Sequence, residues 1–198
     1  MIHFYFDFLS PYSYLAYQQI LKLRHNPENS FSKQIFLLRP VFLPQVITTF
    51  QKEGPGDIPV KRAYMLKDCQ KKARLLGLPF CIPKILPFNS SLPLRLMTLF
   101  EGENQWQLGS ELFLLAWGQG EDIGEERVLN QVLQKRALRF EDLKDGMRCA
   151  RLKIKENHEL AKERQIFGLP TFDFWKDDKK EFYWGNDSLQ LLQNDLGE

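Results

Sequence analysis

The chain has 198 residues, of which 43% are hydrophobic and 26% charged, with a formal net charge of +2. That length and balance describe a globular protein able to bury a large core, and so slight a charge gives no reason to expect nucleic acid or an anionic membrane as a partner. No apolar run approaches the roughly 20 residues of a membrane span, and the first residues lack the basic start and small-residue cleavage site of a secretory signal, so a cytoplasmic location is expected. The first predicted element is a strand, in which Ile2, Phe4, Phe6 and Phe8 alternate with His3, Tyr5 and Asp7. Its aromatic content suits a strand buried on both faces. A helix follows abruptly, with Ser10 as N-cap, Pro11 in the first helical position, and Tyr12, Leu15, Ala16, Ile20 and Leu23 on one stripe.

The strand therefore delivers Ser10 to a helix N-terminus, where unpaired N–H groups and about half a positive charge favour an anion. In thioredoxin-like proteins this corner carries Cys-x-x-Cys, and one common version reads Cys-Pro-Tyr-Cys. Here the four positions read Ser10-Pro11-Tyr12-Ser13, with both sulfurs replaced by hydroxyls. A hydroxyl cannot exchange disulfides, but it can donate a hydrogen bond to the thiolate of a bound thiol. Ser10 as an ordinary helix cap is the plainer reading of the same residues.

After the helix, 26–32 form a polar connection and Gln34 to Pro40 a second strand ended by proline, joined to the first by a parallel, right-handed crossover. From Leu43 the character changes. A loop at Lys52-Glu53-Gly54-Pro55-Gly56-Asp57 leads into a helix with Met65, Leu66, Cys69, Ala73 and Leu76 on one side, and Lys67, Lys71, Lys72 and Arg74 on a face expected to be solvated. Further helices are predicted over Leu94–Phe100, Ser110–Trp117, Glu125–Leu138 and about Asp142–Gln165. The sheet pattern returns as a hairpin, Gly168 to Trp175 and Glu181 to Trp184 about a turn at Lys176–Lys180, followed by a short helix carrying Leu189, Leu191, Leu192 and Leu196. The cysteines Cys69, Cys81 and Cys149 are too far apart for a disulfide framework or zinc site, and no metal is expected; Cys69 reads as a small buried hydrophobe.

Strand, helix and strand, then helix, hairpin and helix, is the thioredoxin order. The predicted class is α/β, a thioredoxin-like domain (residues 1–42 and 153–198) interrupted by an all-helical insertion (residues 43–152). The stretch Phe4 to Ala16, together with Gly168-Leu169-Pro170-Thr171, Gly185-Asn186-Asp187 and Lys61 to Asp68, resembles the 2-hydroxychromene-2-carboxylate isomerases and their relatives, the kappa-class glutathione transferases. The resemblance covers most of the chain.

The resemblance implies a glutathione-dependent enzyme acting on a small, aromatic organic substrate, and a homodimer. It implies that Ser10 lies beside the glutathione sulfur, with Pro11 at the helix start, and that Pro170 is a cis proline whose predecessor, Leu169, pairs with the backbone of glutathione. Asn186 and Asp187 would hold the γ-glutamyl end, and Lys61 would reach in from the start of the insertion. Two positions depart from the family pattern: Lys52-Glu53-Gly54-Pro55-Gly56 stands where Gly-Asn-x-Pro-Pro is frequent, and Ser188 where an arginine commonly follows Asn-Asp. Three functions stay open on the sequence: an isomerase, in which the thiolate adds to an unsaturated aromatic acid and later leaves; a kappa-like transferase, in which the adduct is the product; and a degenerate thioredoxin-fold binding protein without chemistry.

Overall fold

The computed structural model describes residues 1–176 and 179–197. Of the predicted turn, Asp177 and Asp178 lie outside the described residues. The strands β1 (Ile2–Phe6), β2 (Phe36–Pro40), β3 (Thr171–Lys176) and β4 (Lys179–Trp184) form one sheet in the order β2-β1-β3-β4. β1 pairs with β2 in parallel, Phe4 opposite Leu38, and with β3 antiparallel, Phe4 opposite Phe172; β3 and β4 are antiparallel neighbours.

Helices cover both faces. α1 (Pro11–Arg24) lies on the face of Phe4 and Phe6, where the Tyr17 ring is 5.9 and 5.5 Å from theirs and Phe113 is 5.8 Å from Phe6. On the other face Tyr5 packs with Val41, Val46, Ala161, Ile166 and Leu169, under α2 (Leu43–Phe50) and α7 (Gly146–Glu163). Both faces of β1 are thus buried, as its aromatic alternation requires. Between α2 and α7 the chain builds α3 (Pro59–Leu75), α4 (Ser91–Met97), α5 (Gly102–Phe113) and α6 (Glu126–Gln134), with a π-turn over Leu114–Gly118 after α5. α8 (Leu189–Gly197) closes the chain. The architecture is α/β and thioredoxin-like with a helical part, and α7 runs unbroken through residues 152 and 153, where the predicted boundary lies.

Three helix limits differ from expectation for identifiable reasons. α2 forms ahead of the predicted loop, where the sequence reading assigns no separate element, and is started by Pro44 at a first-turn position. α5 begins at Gly102 rather than Ser110 and runs through Gly109, an interior glycine that reads in sequence as a break. A Cβ there would stand 2.2 Å from the Tyr17 hydroxyl, so the glycine is what lets α5 cross α1 this closely. α6 stops at Gln134 because Ala137 takes a left-handed conformation, φ 55°, ahead of the predicted end at Leu138.

Candidate active site

Where β1 gives way to α1 the chain is clamped by Asp7, which is fully buried. Its Oδ1 accepts from the Leu9 N–H at 3.1 Å, its Oδ2 from the Leu43 N–H at 2.7 Å, and its carbonyl from the Ser10 N–H at 3.1 Å. Burial pushes the Asp7 carboxyl up to about 6, outweighing the hydrogen bonds that favour its charged form. Folding therefore favours the protonated form. Asp7's contribution to stability is present in full below its unfolded value of 3.8 and is lost as pH rises through about 6. A shift of that size is worth about 3 kcal/mol. The stability difference between wild type and Asp7→Asn, followed by urea unfolding, should shift against wild type by that order between pH 3.5 and 7; a flat difference would show that the N–H donors win.

Ser10 is the N-cap of α1 with an extended backbone, φ −89° and ψ 112°. Its Oγ accepts from the Ser13 N–H at 3.1 Å, and its hydroxyl donates to the Leu169 carbonyl at 3.2 Å, 159 residues away. Ser13 is fully buried, and its Oγ has no partner among the described residues. The Leu169–Pro170 peptide is cis. The Pro170 carbonyl then accepts from the Gly185 N–H at 2.9 Å, which ties the strand start to the turn carrying Asn186 and Asp187. Two glycines make this corner possible: a Cβ on Gly168 would lie 2.6 Å from the Trp184 indole nitrogen, and Gly185 has φ +90°. Ser10, Pro11, Leu169, Pro170, Asn186 and Asp187 are thus gathered from three distant stretches of chain.

A polar chain leads outward from the first turn of α1. The Tyr12 hydroxyl donates to Asp68 Oδ2 at 2.8 Å, and Lys72 Nζ reaches Asp68 at 2.9 Å and Asp187 Oδ1 at 2.7 Å. The ammonium also lies 5.0 Å from the centre of the Tyr12 ring. Burial works to raise the Asp68 carboxyl, yet hydrogen bonds from Lys72 and Tyr12 hold it below its usual range. For Lys72 burial works to lower the ammonium, but its two carboxylate partners hold it above the usual value. In the sequence Lys72 reads as part of a solvated face; the signal that singles it out is Asp68 one turn earlier, the favourable acid-before-base spacing.

Lys61 is exposed in the first turn of α3 and makes no ion pair among the described residues. At 1.5 Å per residue it stands about 16 Å along the helix from Lys72, outside this cluster. Cys69 is buried beside Asp68, and burial pushes its thiol up to about 12, which suits a packed side chain and not a nucleophile.

Residues 1–197 match the DSBA-like thioredoxin domain. The chain belongs to that family. It is 32% identical to a 2-hydroxychromene-2-carboxylate isomerase from Pseudomonas sp., over all of this chain and 90% of the relative. It is 24% identical to rat glutathione S-transferase kappa 1, over all of this chain and 91% of the transferase. The solved structure of a 2-hydroxychromene-2-carboxylate isomerase superposes with a TM-score of 0.86 and 29% identity, covering 99% of this chain and 94% of that one. Within the DSBA-like family the chain therefore stands with these isomerases and kappa-class transferases, and it is an enzyme. Among the described residues no helix is long and apolar enough to cross a membrane.

Proposed function

We propose that this protein is a glutathione-dependent isomerase of the 2-hydroxychromene-2-carboxylate type, in which Ser10 stabilises the glutathione thiolate. The observation that carries the reading is the 3.2 Å contact between the Ser10 hydroxyl and the carbonyl preceding the cis proline, at the positive end of α1. A hydroxyl has one proton to donate. When a thiolate arrives, that proton turns from the Leu169 carbonyl to the sulfur, and the carbonyl is left to accept the cysteinyl N–H of the tripeptide. Sulfur binding and backbone pairing are coupled through one rotor. Asn186 and Asp187 hold the γ-glutamyl end, Pro11 fixes the helix start, and Lys61 contributes from the opposite end of α3.

In this mechanism the thiolate adds to a conjugated carbon of an unsaturated aromatic acid. A carbon–sulfur bond forms as the π pair of the double bond moves onto the conjugated carbonyl, rotation about the resulting single bond follows, and return of that pair expels the thiolate, restores the double bond and leaves glutathione unchanged. A kappa-like transferase shares every step up to the adduct and stops there. Free thiol counted before and after turnover separates them: an isomerase leaves it constant, and a transferase consumes it mole for mole. A non-catalytic binder would turn over neither kind of substrate.

The first experiment is a calorimetric titration of glutathione with a parallel melting curve. Saturable binding in the millimolar range or tighter, with a melting temperature that climbs as the logarithm of ligand concentration, is the expected result. Absence of binding at millimolar glutathione would overturn the proposal.

A further inference from the structure

Lys72 and Asp187 form a pair whose charges are only half used. A lysine ammonium has three N–H donors; two of those on Lys72 go to Asp68 and Asp187, and the third has no partner among the described residues. The Asp187 side chain is 70% exposed and meets Lys72 through Oδ1, so its second oxygen is open to a ligand. The pair is also held in place from behind. Tyr12 anchors Asp68, Asp68 anchors Lys72, and the Gly185 N–H bond to Pro170 fixes the turn on which Asp187 sits.

An α-amino acid carries its ammonium and its carboxylate on one carbon. Laid against a neighbouring carboxylate and ammonium in the reverse sense, it sets each charge beside its complement. A ligand with only the amine gains Asp187 but faces the Lys72 cation unrelieved, and one with only the carboxylate faces Asp187. The pair therefore selects a zwitterion over either singly charged analogue. The neighbouring Ser188 brings no charge, and its hydroxyl proton is already given to the Trp184 carbonyl at 2.6 Å.

We propose that Lys72, with Asp187, binds the α-amino-acid head group of the γ-glutamyl residue, Lys72 taking the α-carboxylate and Asp187 the α-ammonium; this rests on the glutathione reading above. Lys72 is then a specificity-determining residue of the site, contributed by α3 and lying one ion-pair contact from the turn that carries Asp187. Because Tyr12 stands two positions after Ser10 in α1, the head-group site and the sulfur site are set by a single helical turn.

The test measures the affinities of three thiols for wild type, Lys72→Met and Lys72→Arg: glutathione, 4-aminobutyryl-cysteinylglycine, which lacks the α-carboxylate, and glutaryl-cysteinylglycine, which lacks the α-ammonium. Lys72→Met is expected to weaken glutathione and the glutaryl compound about tenfold, the scale of one charge-assisted hydrogen bond, and to leave the 4-aminobutyryl compound unchanged or tighter. Lys72→Arg should restore glutathione to within about threefold of wild type on the same scale. Equal losses for all three thiols would reduce Lys72 to a strut for the 185–188 turn, and no loss at all would remove it from the site; either result overturns the inference while leaving glutathione binding by wild type intact. If wild type binds none of the three thiols, the glutathione reading itself falls, and this inference with it.

Discussion

Ser10→Ala is expected to lower turnover about a hundredfold, the usual scale for deleting one donor aimed at a developing or resting anion, while glutathione affinity changes by less than a factor of about three, since no other contact to the peptide part is removed. The ultraviolet absorbance of the bound thiolate at neutral pH should disappear, because the thiol loses the Ser10 donor and keeps the helix end. The same substitution also removes the acceptor for the Ser13 N–H and the donor to the Leu169 carbonyl. That structural part is worth about 1 kcal/mol, as for other N-cap losses, or a few degrees of melting temperature. The two roles are therefore separable by size and by probe. A variant that loses the small stability increment and keeps its turnover and thiolate spectrum would make Ser10 a cap and nothing more, and the proposed mechanism would fail with it.

The largest loss of stability is expected from Trp117→Ala. The indole is fully buried, its Nε1 donates to the Phe8 carbonyl at 2.7 Å, and its ring lies 5.8 Å from Phe80 and 6.4 Å from Phe88. Deleting such a ring costs about 3–5 kcal/mol in transfer and cavity terms, and the orphaned carbonyl adds to that. For a chain of this size the melting temperature should fall by about 10 °C or more. Trp117→Phe tests the polar part alone: it keeps most of the packing but leaves the Phe8 carbonyl without its donor, for a loss of about 1–3 kcal/mol. Because Phe8 precedes Ser10 by two residues, that milder variant should also reduce turnover through a displaced serine. Urea unfolding of both variants, with losses under about 1 kcal/mol, would show that the corner is held by α1 and β3 without help from the π-turn.

Much of this was readable from residue order. Ser10, Pro11, Pro170 and the Gly185-Asn186-Asp187 turn announce themselves because their chemistry is local: a cap, a proline at a helix start, a proline opening a strand, a glycine before a short polar turn. The α/β order is equally visible, since β1 and β3 are dense runs of aromatic residues. What escaped is whatever depends on crossing distance. Gly109 breaks a helical pattern in sequence and permits a helix crossing in space. Lys72 sits among other lysines on a face that looks solvated, and only the fold brings Asp187, 115 residues later, to its ammonium. Asp7 shows no sequence sign of burial, because alternation placed it on the same footing as His3; its role comes from meeting the N-terminus of α2. Lys61, implied by the resemblance, stands about 16 Å along α3 from the ion cluster, so the role proposed for it lies at the other end of that helix.

The strand order has a consequence for synthesis. β1 is an inner strand, yet its antiparallel partner β3 begins at Thr171, so on the ribosome one edge of β1 waits for most of the chain to be made before it is covered. At 5–20 residues per second that is a delay of roughly 10 to 30 s, with a strand reading Ile-His-Phe-Tyr-Phe offered to any other unpaired edge. The helices from α2 to α6 emerge during that interval and can shelter only the faces of the growing sheet, not its open edge. Slowing translation near the end of the message should therefore lower the soluble yield of this protein, and co-expressed chaperones that hold exposed strands should restore it.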